Sequence, residues 1–541
     1  MKQHSKMCKL FLSGMLLACW HAWVFAAAWV DPSTLQRLAG DSSNDRLQAI
    51  QALGQSDMPG AANLLAALGE GKVRLSGDGR VLVLLEGSAA IDATSGDKVS
   101  LSGNEQPFML NNRLRRAIQL AQATVALFAP ESSVRLNAAI RMQKEVDPAH
   151  IPVMERALQR EKDDRVKSAM QIALAGMQLK STDPEVRLAA VKTLGASGIG
   201  AYQPALNALL EKNQAGQPTE PDARVRHAAL SAIHQIDRHQ ALLSWAGNIF
   251  FGISLGSVLL LAALGLAITF GLMGVINMAH GELLMIGAYA TYMVQALFKS
   301  WFPAWMNWYV IAALPVAFIV TALVGMALER TVIRWLYGRP LETLLATWGI
   351  SLILMQAVRS IFGAQNVEVA NPSWMSGGWT VMGGLVLSYN RIAIIIFSML
   401  VVLMVWLMLN YTRLGLFVRA ITQNRRMADC VGVPTGKVDM LAFGLGAGIA
   451  GLGGVALSQL GNVGPDLGRS YIVDSFMVVV LGGVGQLAGT VVAALGLGAI
   501  NKIIEPFWGA VIAKIAILFF IVLFVQKRPQ GLFAPKGRSA E

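Results

Sequence analysis

The chain has 541 residues, of which 54% are hydrophobic and only 14% charged, and 45 Lys and Arg against 33 Asp and Glu give a net charge of +12. That balance excludes a disordered, collagenous or coiled-coil chain, and it is too apolar for an ordinary soluble enzyme of this length. A basic excess on so oily a chain points to Lys and Arg held at one side of a membrane rather than to a nucleic-acid partner. The cysteines, Cys8, Cys19 and Cys430, are too few for a disulfide framework.

Lys2, Lys6 and Lys9 precede an apolar run over residues 10–25, and Ala26-Ala27-Ala28 comes directly after it. These are the basic region, apolar region and small-residue cleavage site of a secretory signal. The run is short of the ~20 residues a membrane span needs. Residues 1–28 therefore read as a signal peptide cleaved after Ala28. The alternatives are an uncleaved anchor and a lipoprotein processed at Cys19. A working signal exports the domain that begins at Trp29.

Residues 29–243 have the composition of a soluble domain in which one helix start recurs. The copies are Ser133-Val134-Arg135, Asp164-Arg165-Val166-Lys167, Asp183-Pro184-Glu185-Val186-Arg187 and Asp222-Ala223-Arg224-Val225-Arg226, with Asp45-Arg46-Leu47 as a further candidate. Asp or Ser suits an N-cap, and Val and Ala at helical spacing form a packing stripe. Such helices cannot bury that stripe alone, so a HEAT-like stack of antiparallel pairs is expected. A small β insertion is expected near residues 71–110, where Val81-Leu82-Val83-Leu84-Leu85 and Ile91 are bounded by Gly77-Asp78-Gly79 and Ser95-Gly96-Asp97. The repeated arginines read as solvated caps and salt bridges, or as a surface for a partner protein.

From residue 244 to 541 the chain changes class. Candidate spans are 248–273, 277–298, 308–328, 341–362, 391–410, 438–461, a Gly-rich stretch 472–504, and 508–526. An exported N-terminal domain sends the first span inward. Arg330, Arg334 and Arg339, then Arg413, Arg419, Arg425, Arg426 and Lys437, fall inside, in agreement with the charge rule. Trp301, Trp305 and Trp308 form an outer interfacial belt. A cytoplasmic C-terminus with Lys527, Arg528, Lys536 and Arg538 requires an even number of crossings after that basic loop. Splitting 472–504 near Gly482-Gly483-Val484-Gly485 satisfies this and predicts eight or nine spans, one of them discontinuous. The fold class is thus all-α, a polytopic membrane bundle behind an exported HEAT-like domain.

The densest polar cluster at membrane depth is Asn277-Met278-Ala279-His280-Gly281-Glu282, preceded by Gly274. Ionisable groups in a span are expensive and face a cavity or a partner. Asn277, His280 and Glu282 are candidates for a gate or for the lining of a pathway. Thr343, Thr347, Trp348, Ser351 and Gln356 recur along the fourth span; their polar groups either pass a small polar solute or bond their own helix. Lys514 calls for a partner, Glu505 or Asp474. In the cytoplasmic loop 411–437, Met427 to Pro434 reads as a short helix, ended by Gly and Pro, that suits docking onto another cytoplasmic protein, with Arg425, Arg426, Ala428, Asp429 and Gly432 as candidate contacts. No Walker A motif occurs, so the chain has no ATP site of that type, and nothing in it suggests catalysis or a bound metal.

These residues carry a resemblance. Gly265-Leu266-Ala267-Ile268-Thr269-Phe270-Gly271-Leu272-Met273-Gly274 running into Asn277-Met278-Ala279-His280-Gly281-Glu282 resembles the branched-chain amino acid (Liv-type) permeases of ABC importers. Arg413-Leu414-Gly415, Val480-Leu481-Gly482-Gly483-Val484-Gly485 and Arg528-Pro529-Gln530-Gly531-Leu532-Phe533 support it. The exported extension and Thr343 to Leu352 are similar to urea-transporting members of that family. The resemblance implies a bacterial inner-membrane protein that is not an enzyme and binds no cofactor itself. It implies as partners a second permease subunit in a heterodimer, two ATPase subunits that bind the ATP, a periplasmic solute-binding protein, and membrane lipid but no nucleic acid. The implied cargo is urea or a short-chain amide; a branched-chain or other neutral amino acid, and a passive urea channel, are the alternatives.

Overall fold

The computed structural model describes residues 30–533, apart from 57, 86–88, 102–103, 145–146, 213–216 and 382–384. The signal-peptide reading and the terminal Lys536 and Arg538 lie outside the described residues. The chain divides into two compact units at Gln240 and Ala241.

The first unit opens with α1 (Pro32–Ala39), α2 (Ser43–Gln55) and α3 (Pro59–Gly69). Antiparallel strands come next: β1 (Val73–Leu75), β2 (Val81–Leu84), β3 (Ala89–Asp92), β4 (Lys98–Ser100) and β5 (Gln106–Pro107), in the order β4-β3-β2-β1-β5. Val73 and Val81 turn inward onto Leu64, Leu65 and Leu68 of α3. The unit continues with α4 (Asn112–Ala126), α5 (Ser132–Met142), α6 (Ile151–Arg160), α7 (Asp164–Gln178), α8 (Pro184–Ser197) and α9 (Gln203–Leu210). Aspartates cap the starts at Asp163 (one residue before the Asp164 of the pattern), Asp183 and Asp222, while the Ser133 copy begins without a side-chain cap. Asp163 accepts from the Arg165 amide at 3.0 Å, and Asp183 accepts from the Glu185 amide at 2.9 Å.

Of the recurring arginines, Arg165 and Arg224 stay exposed to solvent, whereas Arg46, Arg135 and Arg187 are mostly covered. Arg135 Nη1 donates to the carbonyls of Ala129 (2.9 Å) and Pro130 (2.8 Å), and Arg187 Nη1 to those of Ser181 (2.8 Å) and Thr182 (3.0 Å). Arg226 does the same to Glu220 and Pro221, both at 2.8 Å, and Arg46 Nε reaches Gly40 O at 2.7 Å. Each guanidinium thus fastens the loop leading into its own helix. Arg135 also forks onto Glu161, and Arg187 onto Glu220, carboxylates at the next helix junction. The arginine beside Glu161 holds that carboxyl well below its ordinary range, at about 2, and Arg187 lowers Glu220 in the same way.

The second unit contains the remaining helices. They are α10 (Ala223–Met273, whose first residues belong to the first unit), α11 (His280–Trp301), α12 (Tyr309–Thr331), α13 (Pro340–Phe362) and α14 (Tyr389–Tyr411). A hairpin, β6 (Gly378–Val381) with β7 (Leu385–Ser388), precedes α14. Then come α15 (Arg413–Gln423), α16 (Arg425–Cys430), α17 (Thr435–Ser458), α18 (Leu467–Gly482) and α19 (Leu487–Lys527). Among the described residues, six helices are long and apolar enough to cross a membrane: α10, α12, α13, α14, α17 and α19. The expectation of eight or nine differs from this for physical reasons. With 16 residues, α18 is too short for a full ~30 Å crossing. The 41-residue α19 counts once, although Gly509 (φ 78°, ψ 163°) kinks it. α11 opens on His280 and Glu282 and carries Lys299 near its end. The Gly-rich stretch is interrupted at Gly483 and Gly485, both at positive φ, between α18 and α19.

Helix α17 is the centre of this unit because its glycines admit neighbouring backbones. A Cβ on Gly446 would lie 2.7 Å from Gly265 O of α10, and one on Gly454 would lie 2.0 Å from Leu284 O of α11. Helices α13, α14 and the second part of α19 expose apolar side chains such as Leu345, Ile353, Leu403 and Phe519. Lys514 pairs with Asp474 at 2.8 Å and Lys502 with Glu505 at 2.6 Å, which resolves the two partners the sequence left open.

Candidate functional site

The polar cluster sits where α10 stops and α11 begins. Gly274, at φ +63°, ends α10 with its amide on Phe270 O, and residues 275–279 run without regular helix into His280. Asn277 Oδ1 accepts from the Ala279 amide at 3.0 Å and so starts the next turn. His280 donates from Nε2 to Ala262 O at 2.9 Å, tying α11 back onto α10. Thr347 of α13 accepts from the Met278 amide at 3.1 Å while donating to Thr343 O at 2.8 Å. Ser351, one turn on, donates to Glu282 Oε1 at 3.0 Å.

Asn277, His280 and Glu282 are 2%, 0% and 2% exposed. Each keeps an unspent polar atom: Asn277 Nδ2, His280 Nδ1 and Glu282 Oε2, as does the Tyr289 hydroxyl two turns along α11. Buried polar groups are normally paired, and unpaired ones mark functional positions. Asn277 Nδ2 is a donor, and His280 Nδ1 and Glu282 Oε2 are acceptors. Tyr289 is missing from the sequence reading, although its spacing of seven from Glu282 is a same-face signal.

The structure brings Asn277, His280, Glu282, Thr347 and Ser351 together. Thr343 is buried but bonds only Arg339 O and Leu336 O at the start of its own helix, the second of its two sequence readings. Gln356 is exposed and takes no part. Beside the cluster, Gly281 and Gly468, each the second residue of a helix that comes after a break, meet backbone to backbone. A Cβ on Gly281 would lie 2.5 Å from Gly468 O, and one on Gly468 2.2 Å from Gly281 O.

In the 411–437 loop, Ala428 is buried against Val418, Ile421 and Val433, which docks α16. Arg426 and Asp429 are exposed, Gly432 closes α16 at φ +86°, and Met427 and Val431 are 64% and 74% exposed. Arg425 is also exposed at the surface, and it has a second, inward contact. It pairs with the buried Asp439 and lies 4.8 Å from the centre of the Tyr337 ring.

Residues 248–526 match the family described as the branched-chain amino acid transport system permease component. The chain belongs to that family. It is similar to the high-affinity branched-chain amino acid transport permease BraD of Pseudomonas aeruginosa, with 30% identity over 287 residues, covering 52% of this chain and 93% of the relative. It is similar to LivH of Escherichia coli K12 at 29% over 300 residues, 54% of this chain and 96% of LivH. A shorter likeness, 32% over 110 residues, joins it to the ribose import permease RbsC of Escherichia coli K12, covering 19% of this chain and 34% of RbsC. This branched-chain permease family member is a transport component and not an enzyme. The matched region holds the break, the cluster and the 411–437 loop.

Proposed function

We propose that the chain is one of two permease subunits in an ATP-driven importer and that its cargo is urea or a short-chain amide. The observation that carries the cargo reading is the chemistry of the break. Asn277, His280, Thr347 and Ser351 are uncharged donors and acceptors around one carboxylate, Glu282. Arg359 of α13 is already paired with Asp466 at 2.9 Å, while Arg469 of α18 lies close enough to act electrostatically on Glu282. A neutral, planar solute with both N–H and C=O groups matches the uncharged donors and acceptors of that set. A second reading, a branched-chain amino acid, is favoured by the names of BraD and LivH.

In this reading the membrane part of α10, α11, α12, α13, α14, α17, α18 and the two parts of α19 make nine passes. The 411–437 loop and the C-terminus are then cytoplasmic. The first unit is a HEAT-like periplasmic domain exported behind a signal peptide in the bacterial inner membrane. Arg426, Met427 and Val431 face two ATPase subunits, which bind the ATP; this chain holds no cofactor. The second permease covers part of the exposed apolar surface, and a periplasmic solute-binding protein delivers cargo. The test is uptake by proteoliposomes holding the complete transporter. Labelled urea or acetamide should accumulate with ATP inside and be displaced by the other amide but not by leucine. Displacement by leucine alone establishes the second reading.

A further inference from the structure

The loop that carries α16 is fastened to the membrane unit by a chain of polar contacts that ends at the break. Arg425 heads α16, and Asp439, in the first turns of α17, is fully buried beneath it. The guanidinium lies over Tyr337, in the short connection between α12 and α13. The Tyr337 hydroxyl donates to Glu329 Oε1 at 3.2 Å and lies 2.9 Å from Met273 Sδ. Met273 is the last residue of α10, directly before Gly274. Val275, inside the break, packs with Ile333 and Phe443 against the same Met273 and Tyr337.

The arrangement is balanced on Arg425. Asp439 Oδ1 and Glu329 Oε2 are buried without hydrogen-bond partners; Arg425 pairs with Asp439, the Tyr337 phenol donates to Glu329, and Arg330 and Arg334 also act on Glu329. Removing a cation from a buried carboxylate leaves an uncompensated charge, which disfavours the packing around it. Burial raises the Tyr337 phenol above its ordinary range, so it stays a neutral donor. Because Arg425 sits on the exposed rim, anything that moves α16 moves the only guanidinium paired to Asp439 among the described residues.

We propose that Tyr337 is a positioning residue that joins α16 to the broken segment 274–279, so that displacement of α16 by a bound partner releases Met273 and reorients Asn277 and His280. This rests on the reading of α16 as the ATPase-facing element. Tyr337 touches no solute; it acts through Met273 and Val275. Two-state packing of this kind carries coupling only where both ends bias the same element, and here that element is the break.

The test uses the full chain in lipid nanodiscs, with Cys8, Cys19 and Cys430 changed to serine and Val275→Cys as a reporter of the break. Losing one buried hydrogen bond or charge pair should raise local opening about tenfold. The thiol should therefore react with a maleimide about tenfold faster in Tyr337→Phe and in Arg425→Ala. Lys437→Ala, an exposed cation of the same loop, should leave the rate unchanged. Equal rates in all variants overturn the proposal. If the cysteine reporter does not fold, hydrogen exchange over residues 273–279 in the otherwise unaltered variants gives the same comparison. In the assembled transporter, Tyr337→Phe should keep ATPase subunits bound and hydrolysing while uptake per ATP falls. Faster labelling in a chain that binds no ATPase subunit would uphold Tyr337 and overturn the reading of α16 instead.

Discussion

Gly281 and Gly468 face each other across a contact that excludes any side chain. Each stands second in a helix that resumes after an interruption, α11 after Gly274 and α18 after residues 459–466. Their closeness fixes how the two interrupted helices cross, next to Glu282. Irregular backbone at membrane depth is tolerated where protein buries it or where it lines a cavity.

Gly281→Ala should therefore be costly. Its Cβ would meet Gly468 O at 2.5 Å and Ile472 Cβ at 3.0 Å, so one helix must shift, at roughly 1–3 kcal/mol. Gly349→Ala in α13 has nothing within 4 Å and should be neutral or slightly stabilising. Thermal unfolding in nanodiscs, with uptake by the whole transporter, should separate the two variants. Equal behaviour would remove the contact from the account.

Thr347 and Thr343 look alike in sequence and should differ in effect. Thr347→Val strands the Met278 amide, at a cost of about 1–2 kcal/mol, and should speed hydrogen exchange over 274–279. Thr343→Val loses only bonds to carbonyls at its own helix start and should leave that exchange unchanged.

His280→Ala and Asn277→Ala should each lower uptake at least tenfold (about 1.4 kcal/mol in the rate-limiting barrier) while membrane insertion is kept. Glu282→Gln retains the Ser351 bond but removes the charge, so it tests cargo type: amide uptake should survive in part, whereas a zwitterion held by its ammonium group should lose the most. Wild-type rates in both alanine variants contradict the gate assignment.

The Arg135–Glu161 fork makes a pH prediction for the first unit. The Glu161 carboxyl sits at about 2 when folded against an ordinary 4.5, so it is depressed by its partner. Its contribution is complete above about pH 4.5 and fades as the pH falls towards 2. Hydrogen exchange over residues 127–163 should accelerate in that window in the wild type. Arg135→Ala should be loosened already at pH 7, since it also frees the Ala129 and Pro130 carbonyls. A flat pH response in the wild type would count against the pairing.

Much of this site is legible in the residues alone, because glycine beside Asn, His and Glu inside an apolar stretch has few structural meanings. Gln356 misleads for a geometric reason. Thr343, Thr347 and Ser351 advance by four residues along one face, but thirteen residues at 100° each place Gln356 about 220° around the helix from Thr343. Arg425 is legible as an exposed charge, but the sequence does not show its second contact, Asp439, a partner fourteen residues away on another helix. The repeated arginines are recognisable as copies, yet nothing local says that a guanidinium turns back onto the carbonyl six residues upstream.

On the proposed function, this permease moves solute only with the energy of nucleotide hydrolysed on partner chains. The most direct measurement is accumulation of labelled urea and acetamide in proteoliposomes, with the chain alone and with the full set of subunits. Concentrative, ATP-dependent uptake is expected from the full set and none from the chain alone. Accumulation against a gradient by the chain alone, or equal flux in both directions without ATP, would contradict it.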